Sequence, residues 1–179
     1  MKIVNTDISG CVIIEPEIYK DDRGFFFETF QQSQFHSKVS PSIKFVQDNF
    51  SQSKKNVLRG MHFQKTKPQG KLVRVTLGCV FDVAVDLRKD SKTYKSWVGL
   101  ELSEKNNLQL YIPPGCAHGF LTLSEKANFE YKCTEYYFPE DEGCLRWDDP
   151  DINISWPASK NLIISKKDRD SSFFKDISF

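Results

Sequence analysis

The chain has 179 residues and only three histidines, whose side chains can accept and release a proton near neutral pH. His36 lies in a polar stretch, so we expect it on the solvated surface. His62 lies in the run Val57–Gln64, an apolar stretch that also holds an arginine and a glycine, and His118 follows a rigid Pro-Pro-Gly turn. Charged and polar groups are rarely buried without partners. His62 and His118 are therefore the better candidates for function, and local context gives both equal standing.

A metal centre is not what these histidines predict. Small metal-binding β-barrels use a His-x-His pair, a carboxylate and a later histidine, whereas glycine occupies position 60, two residues before His62. The five cysteines include no Cys-x-x-Cys pair, and we expect reduced, mostly buried thiols. The chain also has no glycine-rich phosphate loop and no nucleophile elbow.

General acid–base chemistry without a metal remains. It needs an imidazole, a carboxylate to orient it, an ammonium to hold negative charge and a phenol to return a proton. In the run Lys71–Leu77, strand alternation places Lys71 on one face with two valines, which is expected if that face lines a ligand cavity. Tyr131 shares a face with aromatic residues and a glutamate, which predicts either a core capped at its wet end or a pocket wall.

Short β-like runs separated by turn residues must position these groups, and their spacing is typical of a sandwich or barrel. Leu77 and Gly78 predict a tight connection. Helical periodicity is weak, with one short helix predicted over residues 31–38 and another in the last twenty residues. The predicted strands are residues 12–14, 25–30, 44–49, 57–63, 71–77, 80–87, 97–102, 108–112, 120–123 and 128–137.

Composition limits the possible partners. Lys and Arg total 25 and Asp and Glu total 24, so the chain lacks the basic field that a nucleic-acid binder needs. No apolar run approaches the roughly 20 residues of a membrane span, and the N-terminus lacks a signal-peptide core. We therefore predict a cytoplasmic protein with no membrane contact. No repeat or linker interrupts the chain, so one domain over residues 1–179 is expected.

Sequence blocks along nearly the whole chain occur in the order of one enzyme family. They include the DRGFFFE, VLRGMHFQ, QGKLVR and IPPGCAHGF segments, and the full set lies at residues 22–28, 47–49, 57–64, 69–74, 81–86, 112–120, 131–134, 136–137, 147–150 and 154–157. These blocks make the chain resemble the dTDP-4-dehydrorhamnose 3,5-epimerases, also called dTDP-6-deoxy-D-xylo-4-hexulose 3,5-epimerases.

The resemblance implies an all-β fold, a cupin-like β-barrel (jelly roll) with a few short helices, and a homodimer that uses no metal or organic cofactor. The implied substrate is a dTDP-4-keto-6-deoxyhexose, dTDP-4-dehydro-6-deoxyglucose, and the product is dTDP-4-dehydro-L-rhamnose. Carbons 3 and 5 both neighbour the C4 ketone, so loss of either proton gives an enolate. A base can then remove each proton, and return from the opposite face inverts the centre.

The resemblance also assigns catalytic roles. His62 matches the family's base, and Asp168 matches the carboxylate that orients it and stabilises the imidazolium. Lys71 matches the lysine beside the ketone oxygen, and Tyr131 matches the proton donor on the opposite face.

Substrate-binding positions carry over in the same way. Arg23 and Arg59 resemble diphosphate contacts, since a guanidinium fork suits phosphate oxygens. In the family, Arg23 and Glu28 come from the swapped N-terminal segment of the partner subunit. The remaining matched positions, near the nucleotide or the sugar, are Gln47, Asp48, Asn49, His118, Glu142 and Lys167.

Several points stay open at this stage. Strict alternation puts Arg59 and His62 on opposite faces unless Gly60 introduces a bulge. The segment after Asp168 lacks the family's usual proline pattern, and His118 could exchange roles with His62. The alternative functions are a relative that inverts one centre only, a metal-dependent cupin, and a catalytically silent sugar-nucleotide binder.

Overall fold

Strands outnumber helices in the computed structural model, which describes residues 1–157 and 160–177. The helices among these residues are Gln32–Lys38 (α1) and Lys166–Arg169 (α2), with single 3₁₀ turns at Pro139–Asp141 and Phe174–Asp176. The strands are Lys2–Asn5 (β1), Val12–Glu15 (β2), Tyr19–Asp21 (β3), Gly24–Phe26 (β4), Gln47–Lys54 (β5), Val57–Gln64 (β6), Lys71–Leu77 (β7), Cys79–Asp86 (β8), Trp97–Ser103 (β9), Gln109–Ile112 (β10), Cys116–Thr122 (β11), Lys126–Cys133 (β12), Glu142–Cys144 (β13) and Ile163–Ile164 (β14).

Two antiparallel sheets face each other. The first has the strand order β1-β2-β10-β7-β12-β5, and the second has the order β13-β6-β11-β8-β9, with β14 parallel to β6. The chain passes from one sheet to the other between β5 and β6 and between β7 and β8. This arrangement confirms the predicted all-β fold with a few short helices.

Apolar side chains from both sheets fill the space between them. Val73 and Val75 of β7 and Phe129 of β12 meet Phe120 of β11, and the two phenylalanine rings stack with centroids 4.3 Å apart. The predicted face is confirmed, because Lys71 is also buried beside these valines, with only 8% of its surface exposed. The lysine therefore lies at the end of an apolar core rather than in solvent.

The outer faces of both sheets are covered by other parts of the chain. Phe35 of α1 packs on the first sheet against Tyr111 and Leu72. Leu145 and Phe174, from the C-terminal part of the chain, pack on the outer face of the second sheet. No helix within the described ranges is long and apolar enough to cross a membrane.

Glycines allow the close approach of β6 and β11. Gly60 has a φ of +128°, and a Cβ there would lie 2.5 Å from the Cα of Gly119. The pairing register shifts by one residue here, since His118 pairs with His62 but Phe120 pairs with Arg59. This irregularity is the bulge that the alternation of Arg59 and His62 required. The Gly60–Met61 peptide bond is cis.

The connection at Gly78 was also predicted. Gly78 has a φ of +78°, and a Cβ there would lie 2.1 Å from the carbonyl oxygen of Lys126. Only glycine fits this position without moving backbone. The connection joins β7 to β8 and so carries the chain between the sheets, instead of forming a hairpin within one sheet.

Several boundaries differ from the prediction. The strand predicted at residues 25–30 ends at Phe26, and the one predicted at 128–137 ends at Cys133. Strands β1, β3, β13 and β14 were missed, since two to four residues show too little alternation. His36 is half-buried, not solvated as predicted, and its Nε2 lies 2.7 Å from the carbonyl oxygen of Ile43.

Candidate active site

A polar cleft of about 270 Å³ opens between the two sheets. His62 of β6 lines it from the second sheet, whereas Lys71 of β7 and Tyr131 of β12 line it from the first. These side chains therefore come from opposing walls of one cavity. The full lining is Gln47, Asn49, His62, Phe63, Gln64, Gln69, Lys71, Tyr131, Tyr137 and Glu142.

Helix α2 places a carboxylate behind His62. The hydroxyl of Ser165 accepts a hydrogen bond from the backbone N–H of Asp168 and so caps this short helix. Asp168 Oδ1 lies 2.8 Å from His62 Nε2, and its Oδ2 accepts the backbone N–H of Gly60 at 3.3 Å. The predicted pair is thus in contact, although 106 residues separate its members in sequence.

The electrostatics of this pair favour a charged Asp168. Burial raises the pKa of the Asp168 carboxyl, but the hydrogen bond and charge of His62, with the N–H of Gly60, hold it below its usual value. The carboxylate accepts the proton on Nε2 of His62, which leaves the lone pair of Nδ1 available to take a proton.

The side chain of Lys71 is buried and has little water around it. Burial lowers the pKa of its ammonium, while Cys133, Asp82 and Glu142 act in the opposite direction. An ammonium deprived of solvent gains most when a negative charge develops beside it. The position is therefore suited to stabilising an anion in the cleft.

Tyr131 is suited to donating a proton. Burial raises the pKa of its phenol above the ordinary value, and the nearby charge of Arg59 opposes this only in part. The phenol consequently stays protonated at neutral pH. Its ring packs against Phe129, with centroids 6.0 Å apart, which fixes its place on the wall opposite His62.

His118 belongs to a second, deeper pair. Its Nε2 lies 2.8 Å from Asp82 Oδ1, and both residues are buried. Burial lowers the pKa of His118, with Asp82 acting against it and the charges of Lys71 and His62 acting with it. His118 does not line the cleft, so the geometry favours His62 over His118 as the base that meets a substrate.

The rim of the cleft holds a hydrogen-bonded carboxylate. Tyr137 Oη donates to Glu142 Oε2 at 2.7 Å, and Lys167 Nζ binds the same oxygen. Burial raises the pKa of Glu142, but Lys167, Tyr137 and the charge of His62 together hold it below the usual value. Of the predicted binding residues, Gln47 and Asn49 also line the cleft.

Besides His118 and Lys167, four predicted binding residues do not line the cleft. Asp48 was expected near the nucleotide, but β5 alternation points it outward, where it pairs with Lys132 at 2.9 Å. Arg59 donates to the hydroxyl of Ser53 at 3.0 Å and lies close enough to influence Tyr131. Two residues of the N-terminal segment, Arg23 and Glu28, do not line the cleft within this subunit.

Sequence reasoning missed some members of the site. Tyr137, Gln64 and Gln69 line the cleft, and only their position inside or beside the resemblance blocks signalled them. Asp82 gave no signal of its own, because its contact with His118 depends on the pairing of β8 with β11.

The sequence analysis also did not predict a group of side chains that could hold a soft metal cation. One ligand atom from each of His62, Cys144 and Asp168 lies within 4.8 Å of the others. All five cysteines are free, three of them buried and two half-buried.

Comparison with known proteins gives one family. Residues 5–176 match the sequence model of the dTDP-4-dehydrorhamnose 3,5-epimerases. The chain is 54% identical over 170 residues to the dTDP-4-dehydrorhamnose 3,5-epimerase of Methanothermobacter thermautotrophicus, covering 94% of this chain and 91% of that one.

Solved structures agree. A dTDP-6-deoxy-D-glucose-3,5-epimerase from Legionella pneumophila, in complex with dTDP-4-keto-L-rhamnose, superposes with a TM-score of 0.96 at 48% identity, over 99% of this chain and 94% of that one. A 3'-monoepimerase from Streptomyces bikiniensis, in complex with dTDP-quinovose, gives 0.85 at 29% identity, over 93% and 84%. The predicted cupin-like barrel is confirmed, and the chain belongs to the dTDP-4-dehydrorhamnose 3,5-epimerase family.

Proposed function

We propose that the protein inverts C3 and C5 of dTDP-4-dehydro-6-deoxyglucose to give dTDP-4-dehydro-L-rhamnose, without a metal or organic cofactor. One observation carries the mechanism: His62, held by Asp168, faces Lys71 and Tyr131 across a single cleft. The relatives named for this reaction, at about 50% identity over most of the chain, support the same substrate.

Proton removal begins at His62. Nδ1 takes the proton from the carbon next to the C4 ketone, and the electron pair of the C–H bond moves to the ketone oxygen. The imidazolium that forms is paired with the Asp168 carboxylate, which its low pKa keeps charged. The ammonium of Lys71 stabilises the enolate oxygen, and its poor solvation makes this interaction strong.

Proton return comes from the other wall. Tyr131 donates its phenol proton to the carbon from the face opposite His62, so the configuration at that carbon inverts. Exchange with solvent then removes the proton from His62 and restores the one on Tyr131, and the pair can act at the second carbon. The high pKa of Tyr131 keeps the donor loaded at neutral pH.

Substrate binding uses polar groups around the same cleft. We assign Gln47, Asn49 and the Glu142–Lys167 pair to the nucleotide sugar, since all surround the opening. His118 supports this set from behind, through its position opposite His62. Arg59 is assigned to the diphosphate.

The partner subunit completes the site in this proposal. Arg23 is 89% exposed and pairs only with its neighbour Asp21 among the described residues, and the same hairpin exposes Phe25 and Phe26. A homodimer that exchanges this segment would cover these aromatic rings and bring Arg23 and Glu28 to the other subunit's cleft. We further propose that residues 1–179 form one domain and that the protein is cytoplasmic, which its five free cysteines support.

Solvent exchange tests the mechanism. In deuterated water with dTDP-4-keto-6-deoxyglucose, mass spectrometry and NMR of the sugar should find deuterium at both C3 and C5. His62→Asn should abolish exchange at both carbons while dTDP affinity is retained, because only the base is removed. Asp48→Asn, on the outer face of β5, serves as the control and should exchange normally.

The alternative is epimerisation at one centre. It predicts deuterium at one carbon only. The lower identity to the 3'-monoepimerase, 29% against 48–54% for the 3,5-epimerases, favours inversion at both. Normal exchange in His62→Asn would remove His62 as the base under either alternative.

A further inference from the structure

A thiol lies beside the His62–Asp168 pair and has no part in the proposed reaction. Cys144 of β13 pairs directly with His62 of β6, so both side chains project from the same side of the sheet. One ligand atom from each of His62, Cys144 and Asp168 lies within 4.8 Å of the other two. In a tetrahedral zinc site, bonds of about 2.0–2.3 Å space neighbouring ligand atoms by roughly 3.5 Å. Small side-chain rotations would therefore bring the three atoms onto one cation.

The thiol can be reached from outside. A second cleft, of about 370 Å³, is lined by Cys144, Ser171 and Ser172, and it shares Glu142 with the substrate cleft. Cys144 and Cys79 are half-buried, whereas the other three cysteines are buried. Cys144 thus lines a cleft that opens beside the one lined by His62.

We propose that His62, Cys144 and Asp168 form an inhibitory site for a thiophilic divalent cation of the zinc class. Nitrogen, thiolate sulfur and carboxylate oxygen are the ligands that zinc prefers, and three protein ligands leave a fourth position for water. On binding, the thiol releases its proton to solvent and a metal–sulfur bond forms. No oxidant or reductant takes part.

Inhibition follows from the histidine. A cation on Nε2 displaces the proton there to Nδ1, so the lone pair that would accept the substrate proton is lost. This consequence depends on the proposed role of His62 as the base, but cation binding itself does not.

The thiol of Cys144 should make the site selective for soft cations and should keep its affinity for them moderate. Burial raises the pKa of Cys144 to about 11, and a nearby hydrogen bond from Ser171 and the charge of Lys167 oppose this only in part. The cation must replace that firmly held proton, which weakens binding. Magnesium and calcium, which take oxygen ligands, should not compete for the site.

Cobalt(II) is the probe for binding, because a thiolate ligand gives it a charge-transfer band in the near ultraviolet. The native protein should develop this band at one equivalent, and Cys144→Ser should not. Cys79→Ser removes the other half-buried thiol and is the matched control, which should keep the band.

Zinc is the probe for inhibition. Buffered zinc should inhibit epimerisation reversibly, with recovery on addition of EDTA, whereas magnesium should have no effect. Cys144→Ser should keep its basal rate. Half-inhibition of this variant should need at least roughly 10-fold more zinc, because even the loss of a supporting group weakens a metal site by about that factor.

The outcomes separate the two proposals. Absence of the cobalt band, or equal zinc sensitivity of Cys144→Ser and the native protein, would overturn the site. A Cys144-dependent band without inhibition would overturn the inhibitory role and count against His62 as the base. Failure of the solvent-exchange test, by contrast, leaves the cobalt band unaffected.

Discussion

Burial of the charged group of Lys71 is the main electrostatic cost in the site. This side chain is buried, and in the proposed mechanism the developing enolate oxygen offsets the cost of burying its ammonium. Lys71→Met keeps much of the volume and removes the charge, so kcat should fall by at least ~100-fold, the usual effect of losing one oxyanion stabiliser. Steady-state kinetics measures this, with Lys132→Met on the outer face as the control. A near-normal kcat for Lys71→Met would refute the role.

Asp82 acts on Lys71 through its negative charge. It is fully buried, and while Oδ1 binds His118, Oδ2 has no hydrogen-bond partner in the described part of the chain. Burial lowers the pKa of Lys71, and the charges of Asp82 and Glu142 act in the opposite direction.

Removal of the Asp82 charge should therefore be visible in a pH profile. In Asp82→Asn the ammonium of Lys71 loses its proton at a lower pH, so the alkaline limb of kcat/KM should move to lower pH. The exposed Asp48→Asn should leave that limb in place. An unchanged alkaline limb in Asp82→Asn would mean that this carboxylate does not support Lys71.

At the scale of elements, the connection from β8 to β9 depends on one buried carboxylate. Asp86 Oδ1 and Oδ2 accept from the guanidinium of Arg88, and Oδ2 also accepts from the hydroxyls of Ser91 and Thr93. Burial raises the pKa of Asp86, but these hydrogen bonds lower it from 3.8 to about 2. The carboxylate thus holds the connection closed against β8.

The lowered pKa of Asp86 determines how the stability of the fold changes in acid. The folded pKa of Asp86 lies below the unfolded one, so its stabilisation is complete above pH 3.8 and is lost as the pH falls through about 2. Each pH unit between the two pKa values corresponds to roughly 1.4 kcal/mol. Protonation of Asp86 should therefore lower the free energy of unfolding of the native protein by about 2 kcal/mol across this window. Asp86→Asn, measured by denaturant unfolding at several pH values, should lose that part of the slope. Asp48→Asn should keep it.

Sequence patterns predicted the longer strands and failed at the short ones. Alternation in Lys71–Leu77 predicted both the strand and the burial of Lys71, because seven residues show the period clearly. The same rule, applied to residues 47–49, would have placed Asp48 on the outer face. Strands β13 and β14 carry no such signal, since they exist only by pairing with β6.

The site itself could be predicted only through the resemblance. No local pattern links His62 to Asp168, because 106 residues of sequence separate them. The bulge that aligns Arg59 and His62 was suspected from Gly60, but its partner Gly119 was not. Contacts that depend on the pairing of strands distant in sequence lie beyond single-sequence reasoning.

At the scale of the whole molecule, Arg23, which is proposed to bind the diphosphate, lies outside the cleft of its own chain. Arg23 lies on the β3–β4 hairpin, which exposes Tyr19, Phe25 and Phe26 at 57–66%. Such a cluster of exposed rings is typical of a protein interface. The proposed exchange of this segment makes each cleft depend on two chains.

That dependence can be tested by complementation. Arg23→Ala and His62→Asn should each be nearly inactive alone, the first because the diphosphate loses its guanidinium and the second because the base is gone. Co-expressed with different tags, they should form mixed dimers in which one cleft combines the intact His62 of one chain with the intact Arg23 of the other. Random pairing makes half of the dimers mixed and restores one of their two clefts, so about one quarter of the native activity should return.

The mixed dimer, isolated through both tags, should have about half of the native activity per dimer, with native KM. If Arg23 instead served its own subunit, every cleft in that dimer would carry one of the two defects, and purification through both tags would recover no activity. The matched pair Lys71→Met and His62→Asn supplies the control, because both groups belong to one cleft of one chain. Its mixed dimer keeps a defect in each cleft and should stay inactive, so activity in the first pair alone assigns Arg23 to the neighbouring subunit.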